Sequence, residues 1–167
     1  FFVAADEYGY YDISLSVTLV LMGVVCMQMY DGTFRFLIDA KDESEKKNII
    51  STVYSIVFRN SLITIGIAYA LSLFYTIPYL ELMVILLILM GLYEIQTNIY
   101  RGIGLNKYFA IAGILTSFLL FVFVLIFVVW LKMGIMGIFI GHILARLLSL
   151  SIIEIKLGVL KTYTSIK

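Results

Sequence analysis

"FAIAGILTSFLLFVFVLIFVVWL", residues 109–131, contains no charged side chain, and its only polar side-chain groups are two hydroxyls and the indole N–H of Trp130. A helix needs about 20 residues to cross a hydrocarbon core of roughly 30 Å, and this run is longer than that. Inside lipid the backbone has no water to bond, so the segment must satisfy its own N–H and C=O groups, which a helix does alone. The stretch predicts a lipid-facing transmembrane helix over about 108–131.

Four more runs pass the same length criterion, at about 11–38, 48–75, 79–100 and 134–158. They are continuous rather than alternating, which excludes the strands of a membrane barrel. The opening Phe1 to Ala5 reads as the tail of an earlier apolar segment, because the chain starts with neither Met nor a signal-peptide pattern. The predicted fold is therefore all-α: a polytopic bundle of five full spans plus the tail of a sixth. Pro78, the only proline, sits where a helix can begin without losing a hydrogen bond and marks a tight hairpin.

The whole 167-residue composition agrees. Hydrophobic residues make up 62% and charged residues 14%, and the mean hydropathy is +1.05; a soluble domain is nearer half apolar and a quarter charged. A net charge of +1 without a basic stripe excludes nucleic acid as a partner. The single cysteine, Cys26, permits neither an internal disulfide nor a cysteine metal cluster. One histidine and scattered acids form no familiar site, there is no GxxxxGK or GxSxG, and "RGIG" is a turn signal. No cofactor, metal or enzymatic chemistry is expected.

Lys41, Lys46 and Lys47 follow the first run, Arg101 and Lys107 the third, and Lys161 and Lys167 the fifth, whereas the opposite loops hold only Lys132. The positive-inside rule places "DAKDESEKKN", "RGIGLNK" and "KTYTSIK" in the cytoplasm and the acidic "ADEYGYYD" outside.

With that topology, Arg59 lies about ten residues, or roughly 15 Å, into its span. A charge there costs roughly 2.5–3.5 kcal/mol on insertion scales, so it must face protein or water. Thr52, Ser55, Arg59, Leu62, Gly66 and Tyr69 share one helical face, expected to look inward. Glu94, about seven residues from the cytoplasmic end of the next helix, is placed to form a buried ion pair with Arg59, a structural role that stands beside a ligand role for the arginine. His142 and Arg146 stand one turn apart on the fifth span. For His142 an interior hydrogen bond is the plainer reading and proton coupling the sharper one. Arg146 has no acid one turn away and is the better ligand candidate. Gly134, Gly137, Gly141 and Ala145 form a small-residue track for close helix packing. Asp31 and Arg35 are spaced for a local salt bridge, with Arg35 alternatively meeting an anionic headgroup.

The order of "ADEYGYYDISLSVTLVLMGVVCMQMYDGTFRF", "DAKDESEKKNIISTVYSI", "YRGIGLNKYFAIAGIL" and "KMGIMGIFIGHILA" resembles the N-terminal half of bacterial polysaccharide biosynthesis proteins, the lipid-linked oligosaccharide flippases of the multidrug/oligosaccharidyl-lipid/polysaccharide exporter superfamily. The resemblance implies one part of a two-bundle transporter, this chain supplying helices two to six of the first bundle. It implies a multi-pass protein of the bacterial cytoplasmic membrane that turns a polyprenyl-diphosphate-linked oligosaccharide to the outer leaflet by alternating access, alongside glycosyltransferases and a polymerase. Arg35, Arg59 and Arg146 then become candidate substrate-binding residues, since arginine offers a fixed charge with forked donors suited to phosphate. Glu94 and His142 are candidates for an ion pair or for coupling. The rival readings are a multidrug cation antiporter of the same superfamily and a membrane-embedded polymerase or transferase.

Overall fold

A computed structural model describes residues 5–159, and Lys161 and Lys167 lie outside them. Among the described residues all regular structure is helical: α1 (Ala5–Val25), α2 (Met29–Asp39), α3 (Glu43–Phe74), α4 (Leu80–Gly102), α5 (Asn106–Val124) and α6 (Gly134–Leu157). A π-helical segment, Leu125–Trp130, continues α5. Five helices are long and apolar enough to cross a membrane: Asp6–Val25, α3, α4, α5 with its π segment, and α6.

The charged loop before α3 fixes where that helix starts. Asp42 accepts from the Glu45 backbone N–H at 2.7 Å, and the Glu45 carboxylate reaches back to accept from Lys41 N–H at 2.8 Å. This reciprocal arrangement occupies donors that a helix start leaves open. It carries α3 to 32 residues, beginning five residues before the predicted span. Between α3 and α4 the chain turns through Pro78, whose carbonyl accepts from Tyr10 Oη at 2.7 Å, and Tyr79 takes a left-handed conformation.

α4 is the central element. Half of its membrane window is buried, against 11% for α3 and 17% for α5 with its extension. α1, α2, α5 and α6 all pack on it, and α3 leans on it more loosely. The predicted lipid exposure of the 108–131 segment agrees with its surface: Ile114, Phe118 and Phe121 are all well exposed.

α6 pairs with α5 through the small residues singled out in the sequence. A Cβ at Gly137 would lie 2.9 Å from Phe127 Cβ and 3.1 Å from its carbonyl carbon, and one at Gly141 would lie 3.4 Å from Val124 Cγ2. Ala145 is fully buried, and Ser149 Oγ donates to the Ala112 carbonyl at 3.2 Å. Two further glycines admit the other neighbours of α4. A Cβ on Gly91 would collide with Cys26 Sγ, and one on Gly102 would come within 2.7 Å of Leu37 Cβ.

The first predicted span, 11–38, needs correction. It is not one helix: α1 stops at Val25, and Met27 and Gln28 adopt φ of 49° and 50° before α2 begins. Cys26 sits at Gly91 and Leu37 at Gly102, the same number of residues further on in each, so α2 continues along α4 in the direction of α1. The crossing is interrupted rather than reversed.

Gly91→Ala tests this packing. It should lower the thermal stability of the detergent-solubilised protein by the equivalent of about 1–3 kcal/mol, as overpacking does. Adding Cys26→Ala, which removes the obstructing sulfur, should restore most of that loss. Equal stability of the single and double variants would show that Cys26 is not what Gly91 accommodates.

Candidate functional site

The interruption of the first crossing lies level with Gly91, the midpoint of α4. Breaking a helix there frees backbone groups where no water is at hand. Local turns satisfy part of them, with Gln28 N–H donating to Gly23 O at 3.1 Å and Met29 N–H to Cys26 O at 2.8 Å. The Val25 carbonyl is satisfied from another helix: Asn60 Nδ2 on α3 donates to it at 2.8 Å. The polar residue next to Arg59 is therefore a cap for a broken neighbour. Left-handed conformations at two residues with side chains cost roughly 1–2 kcal/mol each, so the surrounding packing holds this turn in place.

A second polar cluster joins α1, α4 and α6. His142 Nε2 is 2.8 Å from Tyr11 Oη, and Arg146 donates to His142 Nδ1 at 2.9 Å and to the His142 carbonyl at 3.3 Å. A guanidinium has no acceptor, so Nδ1 must carry the lone pair. His142 is then the neutral Nε2–H tautomer, and Nε2 donates to Tyr11. The Arg146 guanidinium also lies 6.0 Å from the Tyr93 ring centroid, and the carboxylate of Glu94 is close enough to interact with its charge. Aromatic edges close the cluster, with Tyr11 and Phe139 5.4 Å apart in a T-shape.

A third cluster ties α3, α4 and α6. Tyr54 Oη donates to Gln96 Oε1, Gln96 Nε2 donates to Glu154 Oε2 at 2.9 Å, and Tyr100 Oη donates to the same oxygen at 3.2 Å. Gln96 bridges two helices because an amide both accepts and donates. Gln96→Leu would leave the Tyr54 hydroxyl and the Glu154 carboxylate each short of a partner, and should cost about 1–3 kcal/mol. Gln96→Glu, which puts a second carboxylate against Glu154, should do no better. Unchanged melting for both would show that the network adds nothing to stability.

Beside this cluster runs a groove between α3, α4 and α6. Its upper part, about 900 Å³, is lined by Tyr69, Tyr75 and Glu81 among others. The middle part, about 520 Å³, is lined by Phe58, Leu62 and Ile88, and the lower, about 670 Å³, by Gln96, Ser151 and Glu154. The upper and middle parts share Ile65, and the middle and lower share Tyr54 and Leu92, so the three parts lie end to end.

The predicted site residues do not converge. Arg35 is exposed near the end of α2, Arg59 is exposed on α3, and Arg146 is partly buried on α6; none lines the three parts of the groove. Among the described residues, the expected Arg59–Glu94 ion pair is not formed, and neither is the Asp31–Arg35 pair; the ion pair present is Lys46–Glu43, at 2.7 Å. The face of Thr52, Ser55, Arg59, Leu62, Gly66 and Tyr69 is exposed rather than buried, with Ser55, Leu62 and Tyr69 along the open groove, a further correction. α3 turns Ile50, Val53, Val57 and Ser61 inward instead, because aliphatic side chains pack against α2 and α4 where a guanidinium has no partner. Glu94 is partly buried on α4, where its backbone carbonyl accepts from Thr97 Oγ1 at 3.1 Å and Asn98 Nδ2 at 2.9 Å.

Sequence reasoning missed Asn60 as a cap, Tyr11 as the partner of His142, and Glu154 as the partner of Gln96. The last two pairings join residues 131 and 58 positions apart, beyond any local spacing rule.

Fold and clusters together define an all-helical, multi-pass membrane protein. No protein family, curated protein or solved structure matches the chain.

Proposed function

We propose that this chain forms part of a transporter that exports a polyprenyl-diphosphate-linked oligosaccharide across the bacterial cytoplasmic membrane by alternating access. The product serves surface polysaccharide of the O-antigen or capsule type. In this reading the five crossings belong to the first of two bundles, and the protein works beside glycosyltransferases and a polymerase without being an enzyme itself. The observation that carries it is the interruption of the first crossing at Cys26–Gln28, capped by Asn60. Discontinuous helices at mid-depth are the recurrent form of transporter binding sites, where one half moves against another. A static scaffold gains nothing from two left-handed residues there. The sign of the cargo comes from Arg59 and Arg146, whose forked donors suit a diphosphate, and from the resemblance in residue order.

In the complete gene, Arg59→Ala and Arg146→Ala should each reduce surface glycan at least tenfold at normal protein abundance, with Arg35→Ala milder. Normal glycan in both deep variants would end this reading. One observation favours the cation antiporter: the carboxylate lining the lower groove is Glu154. If that reading holds instead, Glu154→Gln raises drug susceptibility and leaves glycan unchanged.

A further inference from the structure

The groove along α3, α4 and α6 is a slot that runs most of the height of a bilayer. It follows α4 from Leu80 to Gln96, about 24 Å. Its three parts hold about 900, 520 and 670 Å³. Spread over that length, they give a mean cross-section of roughly 90 Å², comparable to the disc of a helix about 10–12 Å across. A lone hydrocarbon chain in so wide a slot would lack neighbours on most sides and forfeit their dispersion contacts.

The wall of the slot is also the helix with the least support. Only 11% of α3's membrane window is buried, and Arg59 is exposed one turn from Ser55 and Leu62, which line the slot. A guanidinium at mid-depth turned to hydrocarbon is penalised by roughly 2.5–3.5 kcal/mol, so this edge needs a polar neighbour. We propose that the slot seats a further membrane-spanning helix, other than the five described, bearing a carboxylate at mid-depth opposite Arg59. Its apolar side lies on Phe58, Leu62, Ile65, Ile88 and Leu92, and Ser61 in the slot floor permits close approach. The inference goes beyond the cargo reading and competes with it for Arg59: an acid seated opposite Arg59 leaves Arg146 as the deep positive charge for the cargo.

The test is a photo-crosslinking amino acid placed at Ile65 or Leu92 of the protein expressed in its own membranes, with Ile114 on the lipid-facing side of α5 as control. The expected result is a peptide adduct at Ile65 and Leu92 that maps to one apolar segment with a central Asp or Glu, and lipid adducts alone at Ile114. Arg59→Glu should cut the peptide adduct at least fivefold, and exchange of the mapped acid for Arg should restore it. Lipid adducts alone at all three positions would overturn the proposal. So would an adduct to a second copy of this chain, or one indifferent to the charge at position 59.

Discussion

Gly137→Val is expected to take apart the α5–α6 hairpin. The added Cβ would stand 2.9 Å from Phe127 Cβ and 3.1 Å from the Phe127 carbonyl carbon. The second contact decides the outcome, since a side chain can swing aside but a backbone atom moves only with its helix. Phe127 belongs to the π-helical segment, where the tighter α-helical hydrogen bonding is already given up and Met133 N–H closes the turn onto the Phe127 carbonyl at 2.9 Å. Separation of the two helices would release the Ser149–Ala112 hydrogen bond. Overpacking costs typically 1–3 kcal/mol and more where neighbours cannot yield, so a loss of at least 3 kcal/mol is expected here. The measurement is monodispersity and melting in detergent, with Gly113→Val, at a site where an added Cβ meets nothing, as control. Equal melting of the two variants would show that α5 and α6 do not depend on close approach.

Asn60→Leu should be the next most damaging change. The leucine keeps the branching at Cγ but removes the donor to the Val25 carbonyl, which then has neither water nor a helical partner. A buried group left unsatisfied costs about 1–3 kcal/mol. Asn60→Ala, which removes the amide altogether, should behave as badly, while Asn60→Gln should retain part of the bond. The more specific consequence is local: amide exchange at residues 23–29 should rise by about tenfold or more in Asn60→Leu while α5 keeps its protection. A uniform rise along the chain, or none, would show that Asn60 does not hold the interruption.

The spans were legible because crossing a bilayer is a property of one segment at a time. Length and apolarity located the second to fifth crossings to within a few residues, and the small-residue track told which side of α6 receives a neighbour. The interruption was not legible. Met27 and Gln28 carry no glycine or proline signal, and the residues that permit the break, Gly91 and Asn60, lie on other helices. The inward side of α3 was misread for a related reason. In lipid both sides of a helix meet apolar surroundings, so hydrophobic patterning does not separate interior from exterior as it does in water. The stripe carrying Arg59 was polar enough to suggest an interior, yet the described chain leaves it uncovered. Gly91 and Gly102 were equally silent, since a glycine reports a close approach only once the approaching side chain is known.

The length of α3 has a mechanical consequence. A rod of 32 residues measures about 48 Å, and fitting it wholly within a 30 Å slab would demand a lean of about 50°, beyond the usual 0–40° of membrane helices. Part of it must therefore protrude, and the end rich in charge, Glu43 to Lys47, is the end that water will accept. That stub, stiffened by Asp42 and braced by the Lys46–Glu43 pair, holds the Lys46 and Lys47 side chains at a set height beyond the hydrocarbon. A loop of the same composition would let them wander.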